Sequence, residues 1–264
     1  MTPSDHSFVF VGGLHRSGTS VIYHTIGTHP KISRLTDTCV LEDEGQFLQS
    51  VYPKDQELGG PERFGLHVSA HLTESSPLVS TAKKELFRAW SPYWDLSKHY
   101  FCEKTPSNIV RSRFLQAVFP TSSFIFVSRH PVAYALATLK WNHRVLLPIM
   151  IENWLACQGH LKQDLPHLRR SLVLRYEEMN LHPERTCQEI EEFLGLRPGM
   201  DASLIKQGLN DPYFSSWQRK NYRRGPNWWG TVAKRYWNEM EIGYVEWRYE
   251  RAINTFGYSF HELA

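Results

Sequence analysis

The sequence predicts an α/β fold, a three-layer sandwich with a central parallel sheet, and three observations carry that expectation. Strand-like apolar runs alternate with helix-patterned segments up to Gly199, the order that builds βαβ units. Ser123–Ser128 (Ser-Phe-Ile-Phe-Val-Ser) is a continuous apolar run of the kind buried on both faces of a parallel sheet. The opening strand Phe8-Val9-Phe10-Val11 runs into a glycine-punctuated loop, Gly12-Gly13-Leu14-His15-Arg16-Ser17-Gly18-Thr19-Ser20, and then a helix start. A length of 264 residues suits one domain over 1–264 with a substantial core.

The elements follow in order. Thr19 to about Thr28 reads as a helix with Val21, Ile22 and Ile26 on its apolar side, and His29-Pro30 ends it. A short extended piece leads to the acidic run Glu42-Asp43-Glu44-Gly45-Gln46. Residues 53–76, rich in Pro, Gly, His and Ser and without a period, read as irregular loops with short helices. Ala82 to Trp90 is expected to be helical. Tyr100-Phe101-Cys102 is the next strand, followed by Glu103-Lys104-Thr105-Pro106 and a helix carrying Ile109, Val110, Phe114, Leu115, Val118 and Phe119, stopped by Pro120. After Ser123–Ser128, Arg129-His130-Pro131 opens another helix, with Pro at an early helical position. A long helix over about 149–163 precedes the strand Leu172-Val173-Leu174, then Arg175-Tyr176-Glu177-Glu178 and a helix from Pro183 to Leu194 closed by Gly195. Beyond Gly199 the β pattern stops. Residues 211–230 read as irregular, and helices continue to about 255.

Composition narrows the function classes. A net charge of +3 is too small for a dedicated nucleic-acid binder but allows a local basic pocket for a phosphorylated small molecule. The four cysteines (Cys39, Cys102, Cys157, Cys187) are scattered, without zinc spacing or a disulfide framework, so free thiols in a reducing compartment are expected. No basic-then-apolar leader is visible, and no apolar run approaches the roughly 20 residues of a spanning helix. The expectation is a cytoplasmic protein with no integral membrane segment. Oligomeric state is left open.

Gly13 and Gly18 have the spacing of the phosphate loop G-x-x-x-x-G-K-[ST]. Such glycines let backbone N–H groups converge at a helix N-terminus, where an anion is favoured. Thr19 stands where the lysine belongs, and the near cation is Arg16, inside the loop. The loop therefore suits an anion without the Lys-plus-magnesium handling of a γ-phosphate. A ligand-free turn is the plain alternative; Arg16 and the hydroxyls of Ser17, Thr19 and Ser20 argue against it. In a parallel sheet, the residues just after the strands share one edge. Arg16, Glu103-Lys104-Thr105 and Ser128-Arg129 are thus expected to converge.

Four segments in order then carry a resemblance: residues 12–20, Glu103-Lys104-Thr105-Pro106, Val127-Ser128-Arg129-His130-Pro131, and Leu174-Arg175-Tyr176-Glu177-Glu178 with His182-Pro183-Glu184 and Phe193-Leu194-Gly195-Leu196. Together they resemble the PAPS-dependent sulfotransferase superfamily, most of all its tyrosylprotein-sulfotransferase and bacterial branches. The resemblance covers roughly residues 7–48, 100–140 and 171–197.

It implies 3′-phosphoadenosine 5′-phosphosulfate (PAPS) as donor, 3′,5′-ADP as product, and no metal. On that basis Gly13, Arg16, Ser17, Gly18, Thr19 and Ser20 cradle the 5′-phosphosulfate, Arg129 holds the 3′-phosphate, and Tyr176 lies near the adenine. Tyr176 as a core tyrosine is the rival reading. Eight positions after that Arg the superfamily usually has a second phosphate ligand, Ser; here Ala137 stands there, with Thr138 beside it. Arg223-Arg224-Gly225 with Trp228-Trp229 resembles the late loop that closes over the 3′-phosphate, with Arg219-Lys220 as a rival and a plain basic loop as a third option.

Sulfuryl transfer needs an in-line acceptor oxygen, a base and cations for the developing charge. By resemblance the base is Glu44, with Glu42 second; an acidic helix start is the plain alternative. Cytosolic relatives use a His, so His67, His71 and His143 stay open. Lys104 and Arg16 would stabilise the transferring group and the leaving phosphate. The acceptor hydroxyl, on a small molecule, lipid, glycan or peptide, is not readable. Two other classes remain: a P-loop small-molecule kinase, and a non-catalytic binder of a phosphorylated nucleotide. The kinase should show a Lys after the second Gly and an Asp where Arg129 stands; Ala137 favours the binder.

Overall fold

Alternation along the central strand sorts side chains to two faces: Phe8 and Phe10 point one way, Val9 and Val11 the other. In the computed structural model this strand is β1 (Ser7–Gly13), the middle of a five-stranded parallel sheet. The other strands are β2 (Ile32–Arg34), β3 (Tyr100–Lys104), β4 (Ser123–Ser128) and β5 (Ser171–Arg175), in the order β2-β3-β1-β4-β5. The structure describes residues 6–206, 210–222 and 230–263, of which 230–234 by backbone alone.

The helices, in chain order, are α1 (Thr19–Ile26), α2 (Val79–Trp90), α3 (Ser112–Val118), α4 (Pro131–Leu139), α5 (Leu147–Asp164), α6 (Tyr176–Leu181), α7 (Pro183–Leu194), α8 (Asp211–Gln218) and α9 (Gly230–Asn254). α1, α6 and α7 cover the Val/Ile face, where Val9, Val11, Ile125 and Val127 meet Ile22, Ile26, Met179 and Ile190. α2, α3, α4, α5 and α9 cover the aromatic face, where Phe8, Phe10, Phe101, Phe124 and Phe126 meet Trp90, Phe114, Phe119 and Trp154. Three layers result, as expected. Each such side chain taken fully out of water contributes about 2 kcal/mol, so both faces hold the sheet.

Several boundaries differ from expectation. The helix expected through Ile109–Phe119 is split into a 3₁₀ turn, Pro106–Val110, and α3, with a break at Arg111 (φ −128°). There the guanidinium donates to the Pro53 carbonyl at 2.8 Å. Tyr176, directly after β5 as expected, opens an additional six-residue helix ahead of α7. Part of 211–230, expected to be irregular, is α8, which buries Phe214 and Trp217 against the core. α7 has the expected limits because both ends are encoded locally: Pro183 at its start and Gly195, left-handed at φ 70°, at its end. No described helix is long and apolar enough to cross a membrane.

Candidate active site

The order β3-β1-β4 places three loops side by side at the carboxyl ends of adjacent strands, with Val11 opposite Lys104 and Gly13 opposite Val127. The loop after β1 turns through Arg16, left-handed at φ 61°, and Gly18 at φ 94°. A Cβ on Gly18 would stand 2.6 Å from the Tyr176 ring, so a side chain there is barred both by backbone conformation and by contact. Ser17 is fully buried, and its Oγ has no hydrogen-bond partner among the described residues. Gly18 caps α1 without any side-chain hydrogen bond, while Thr19 and Ser20 form the first turn. An unpaired buried hydroxyl at a helix N-terminus, beside an exposed arginine, is what an oxyanion would satisfy.

Lys104 closes the second loop. It is fully buried, and Nζ donates to Glu44 Oε1 at 3.0 Å. Glu42 lies 4.0 Å away with its side chain half exposed. The other Glu44 oxygen accepts from Gln46 Nε2 at 2.6 Å, and the same amide donates to Asp55 Oδ2 at 3.2 Å. Asp55 in turn pairs with His15 Nε2 at 2.9 Å, inside the loop after β1. A continuous buried chain thus runs from the phosphate-type loop to the Lys104–Glu44 pair. Burial alone would raise the Asp55 carboxyl; the His15 bond and charge, with Arg111 3.5 Å away, outweigh it and hold Asp55 below its usual range.

The third loop presents Arg129. Its guanidinium lies between two rings, 4.1 Å from the Tyr176 centroid and 5.3 Å from that of Tyr213. Nε donates to Asn210 Oδ1 at 2.9 Å, and Nη1 donates to the Arg16 carbonyl. Arg129 therefore braces the loop after β1 as well as sitting beside it. Ala137 is buried in α4, and Thr138 donates to the Tyr134 carbonyl of its own helix at 2.8 Å. One turn beyond Ala137, Lys140 Nζ donates to Tyr213 Oη at 3.0 Å. Burial opposes ionisation of that phenol, yet Lys140, Arg129 and Arg16 bring it below the usual tyrosine range.

Arg16, Ser17, Gly18, Lys104, Glu44, Arg129 and Tyr176 are thus brought to one edge. Gly13 ends β1 against Val127. Arg223, Arg224 and Gly225, with Trp228 and Trp229, lie outside the described residues. Arg219 is exposed after α8, beside Lys220, which is left-handed at φ 49°. Of the histidines, His71 is committed to Asp164 at 3.0 Å, His67 Nδ1 receives the Ser69 N–H, and His143 is exposed after α4. Sequence reasoning missed His15, Asp55, Gln46, Asn210 and Tyr213. His15 lay inside the quoted loop and Gln46 inside the quoted acidic run, two residues from Glu44, so both were readable signals; Asp55, Asn210 and Tyr213 meet the site only through tertiary contacts. Trp141 was missed too: its half-exposed ring lies 4.9 Å under the Arg16 guanidinium. Among the described residues, no group of three or more His, Cys, Asp or Glu could hold a metal ion.

A family model described as the sulfotransferase family matches residues 8–199. Chicken protein-tyrosine sulfotransferase 2 is 21% identical over 196 residues, covering 71% of this chain and 51% of that protein. The Drosophila melanogaster protein-tyrosine sulfotransferase is 23% identical over 224 residues, covering 77% and 41%. The chain spans about half the length of the curated relatives it matches. Among solved structures, a sulfotransferase from Alicyclobacillus acidocaldarius superposes with a TM-score of 0.51 at 14% identity, over 80% of this chain and 90% of that one. The sulfotransferase domain of the Synechococcus PCC 7002 olefin synthase gives 0.51 at 16% identity, over 96% and 94%. At such identities the superpositions establish the fold, and the family model spans well over half of the sequence. The chain belongs to the sulfotransferase family.

Proposed function

We propose that this protein transfers a sulfuryl group from PAPS to an acceptor hydroxyl without a metal, with Glu44 as the base. The observation that carries the reading is the buried Lys104–Glu44 pair at 3.0 Å, joined through Gln46, Asp55 and His15 to a loop with an unpaired Ser17 hydroxyl. In this reading the acceptor oxygen attacks sulfur in line and gives its proton to Glu44. The bond from sulfur to the 5′-phosphate oxygen breaks, and 3′,5′-ADP leaves. Lys104 and Arg16 donate to the oxygens on which charge develops. Glu42, exposed and farther from Lys104, is the weaker candidate on geometry.

Arg129 would hold the 3′-phosphate, with Tyr176 beside the adenine. Lys140 and Tyr213 supply the charge and hydroxyl that Ala137 lacks on that side. The chicken and fly relatives act, by name, on protein tyrosine; for this chain the acceptor class remains a hydroxyl on a peptide, phenol, lipid or glycan. Trp141, exposed beside Arg16, offers a flat wall to whatever enters.

The experiment is a thermal-shift series followed by transfer. 3′,5′-ADP should raise the melting temperature without magnesium, and ³⁵S-labelled PAPS should label an acceptor in extracts of the native host. Stabilisation by ATP–magnesium alone would instead favour a kinase. Binding of 3′,5′-ADP with no transfer to any acceptor would favour a non-catalytic binder.

A further inference from the structure

Glu103 has no part in the chemistry proposed above, yet it is fully buried directly beneath the loop that carries Glu44. Its carboxylate gathers three donors. The Gly45 N–H reaches Oε1 at 2.9 Å, Thr105 Oγ1 donates to Oε1 at 2.6 Å, and Asn108 Nδ2 donates to Oε2 at 2.7 Å. The directions follow from the partners' other bonds. Thr105 Oγ1 accepts from the Gln46 N–H at 3.2 Å, which leaves its own proton for Glu103. Asn108 Nδ2 gives its other hydrogen to the Val11 carbonyl at 3.1 Å.

Residue 45 must be glycine for this approach, since a Cβ there would stand 2.6 Å from Glu103 Oε1 and 2.8 Å from Trp90 Nε1. Trp90 completes the clasp by donating to the Gly45 carbonyl at 3.0 Å. The residue next to Glu44 is therefore held from both sides, and Gln46 is tied down through Thr105.

We propose that Glu103 is a positioning residue, a latch whose ionised carboxylate seats the loop presenting Glu44 and whose protonation releases it. The functional consequence rests on Glu44 being the base; the latch itself does not. The Gly45 N–H and Asn108 Nδ2 can only donate, and the Thr105 hydroxyl is oriented as a donor, so the set favours the carboxylate over the acid. A proton on Oε1, which already accepts from Gly45 and Thr105, displaces the Gly45 contact or turns the Thr105 hydroxyl, and a proton on Oε2 weakens its bond from Asn108.

The groups around the latch are Glu44 on the loop, Lys104 and Cys102 on β3, Tyr23 on α1, Tyr52 and Asp55 on the irregular segment between the Glu44 loop and α2, and Arg111 before α3. Tyr23, Tyr52 and Cys102 are held neutral by burial first and by the Glu103 charge besides. Burial pushes the Glu103 carboxyl up to about 7, against the Thr105, Asn108 and Gly45 bonds, and the Glu44 charge adds to the rise. Release would therefore fall in the neutral range.

The test uses NMR on the whole protein. Glu44–Gly45 is the only Glu–Gly step among the 16 glycines, so carbonyl-¹³C glutamate with ¹⁵N glycine isolates the Gly45 amide. Its proton should titrate with a midpoint near 7. In Glu103→Gln the titration should vanish and exchange of that amide should rise about tenfold. Thr105→Val, which removes one donor to the anion, should move the midpoint up by about half a unit or more, and it keeps the test alive should Glu103→Gln misfold. A Gly45 proton that does not titrate, that titrates alike in Glu103→Gln, or whose midpoint ignores Thr105→Val overturns the latch. Failure to bind 3′,5′-ADP with the titration intact would instead overturn the donor reading alone.

Discussion

The two ends of the candidate site are built on opposite plans. Around Lys104 and Glu44 the charged groups meet protein partners, in a buried chain from His15 through Asp55, Gln46 and Glu44 to Lys104, with Glu103 holding the next residue, Gly45. Around Arg129 the cation lies against two ring faces and donates to the Asn210 amide and the Arg16 carbonyl, and Lys140 meets a phenol. A charge stacked on rings keeps more of its positive field than one paired at 3.0 Å to a buried carboxylate, as Lys104 is. One end is arranged to hold a proton acceptor in place, the other to attract an anion. The difference shows how a single sheet edge can separate positioning from recruitment.

Breaking the first end should have the largest effect. Glu44→Gln should lower sulfuryl transfer by about a hundredfold or more while 3′,5′-ADP affinity stays within a few fold. Near-normal turnover in a labelled-sulfate assay would remove Glu44 from the chemistry. At the second end, Arg129→Lys exchanges a planar fork for a point charge. The preference for 3′,5′-ADP over 5′-AMP, read by calorimetry, should fall by about ten- to thirtyfold; an unchanged preference would confine Arg129 to bracing the loop.

The cap next to Arg129 adds a pH dependence. His130 Nδ1 accepts from the Val132 N–H at 3.2 Å and Nε2 donates to the Ser259 carbonyl at 3.0 Å, an arrangement that only the neutral ring satisfies. Burial lowers its pKa from 6.5 to about 4, against the Ser259 bond and with help from Arg175 and Arg129. Because the folded value lies below the unfolded one, the unfolded chain takes the proton first. This stability is complete above 6.5 and is lost as pH falls toward 4, by about 2 kcal/mol at pH 5. Urea denaturation at pH 7 and 5 should show that slope, and it should flatten in His130→Gln. The smallest effect is expected from Lys140→Met: about a threefold loss of the same 3′-phosphate preference, since an exposed cation acts through water.

How much of this was readable before the structure depends on where each signal resides. The limits of α7 were readable because Pro183 and Gly195 act on their own backbone. α8 was not, because a stretch dense in aromatics and basics has no clear period, and only burial of Phe214 and Trp217 shows why it is helical. The Glu-Lys-Thr-Pro segment was singled out for Lys104, but Glu103 points to the opposite face of the strand and meets Gly45 from 58 residues away.

By itself the sequence determined the layered α/β architecture, the turn that a phosphate-type loop needs and the arrival of three cation-bearing loops at one edge. These follow from periodicity, from glycine placement and from the geometry of parallel strands, all local or topological properties. Which glutamate stands against Lys104 was decided only by the tertiary structure. Glu42 and Glu44 are two residues apart in one acidic run, yet Glu44 is buried 3.0 Å from Lys104 and Glu42 is exposed 4.0 Å from it. Trp90 from α2, Glu103 from β3 and Thr105 just after β3 pin residues 45 and 46, and no local pattern in the chain records those contacts.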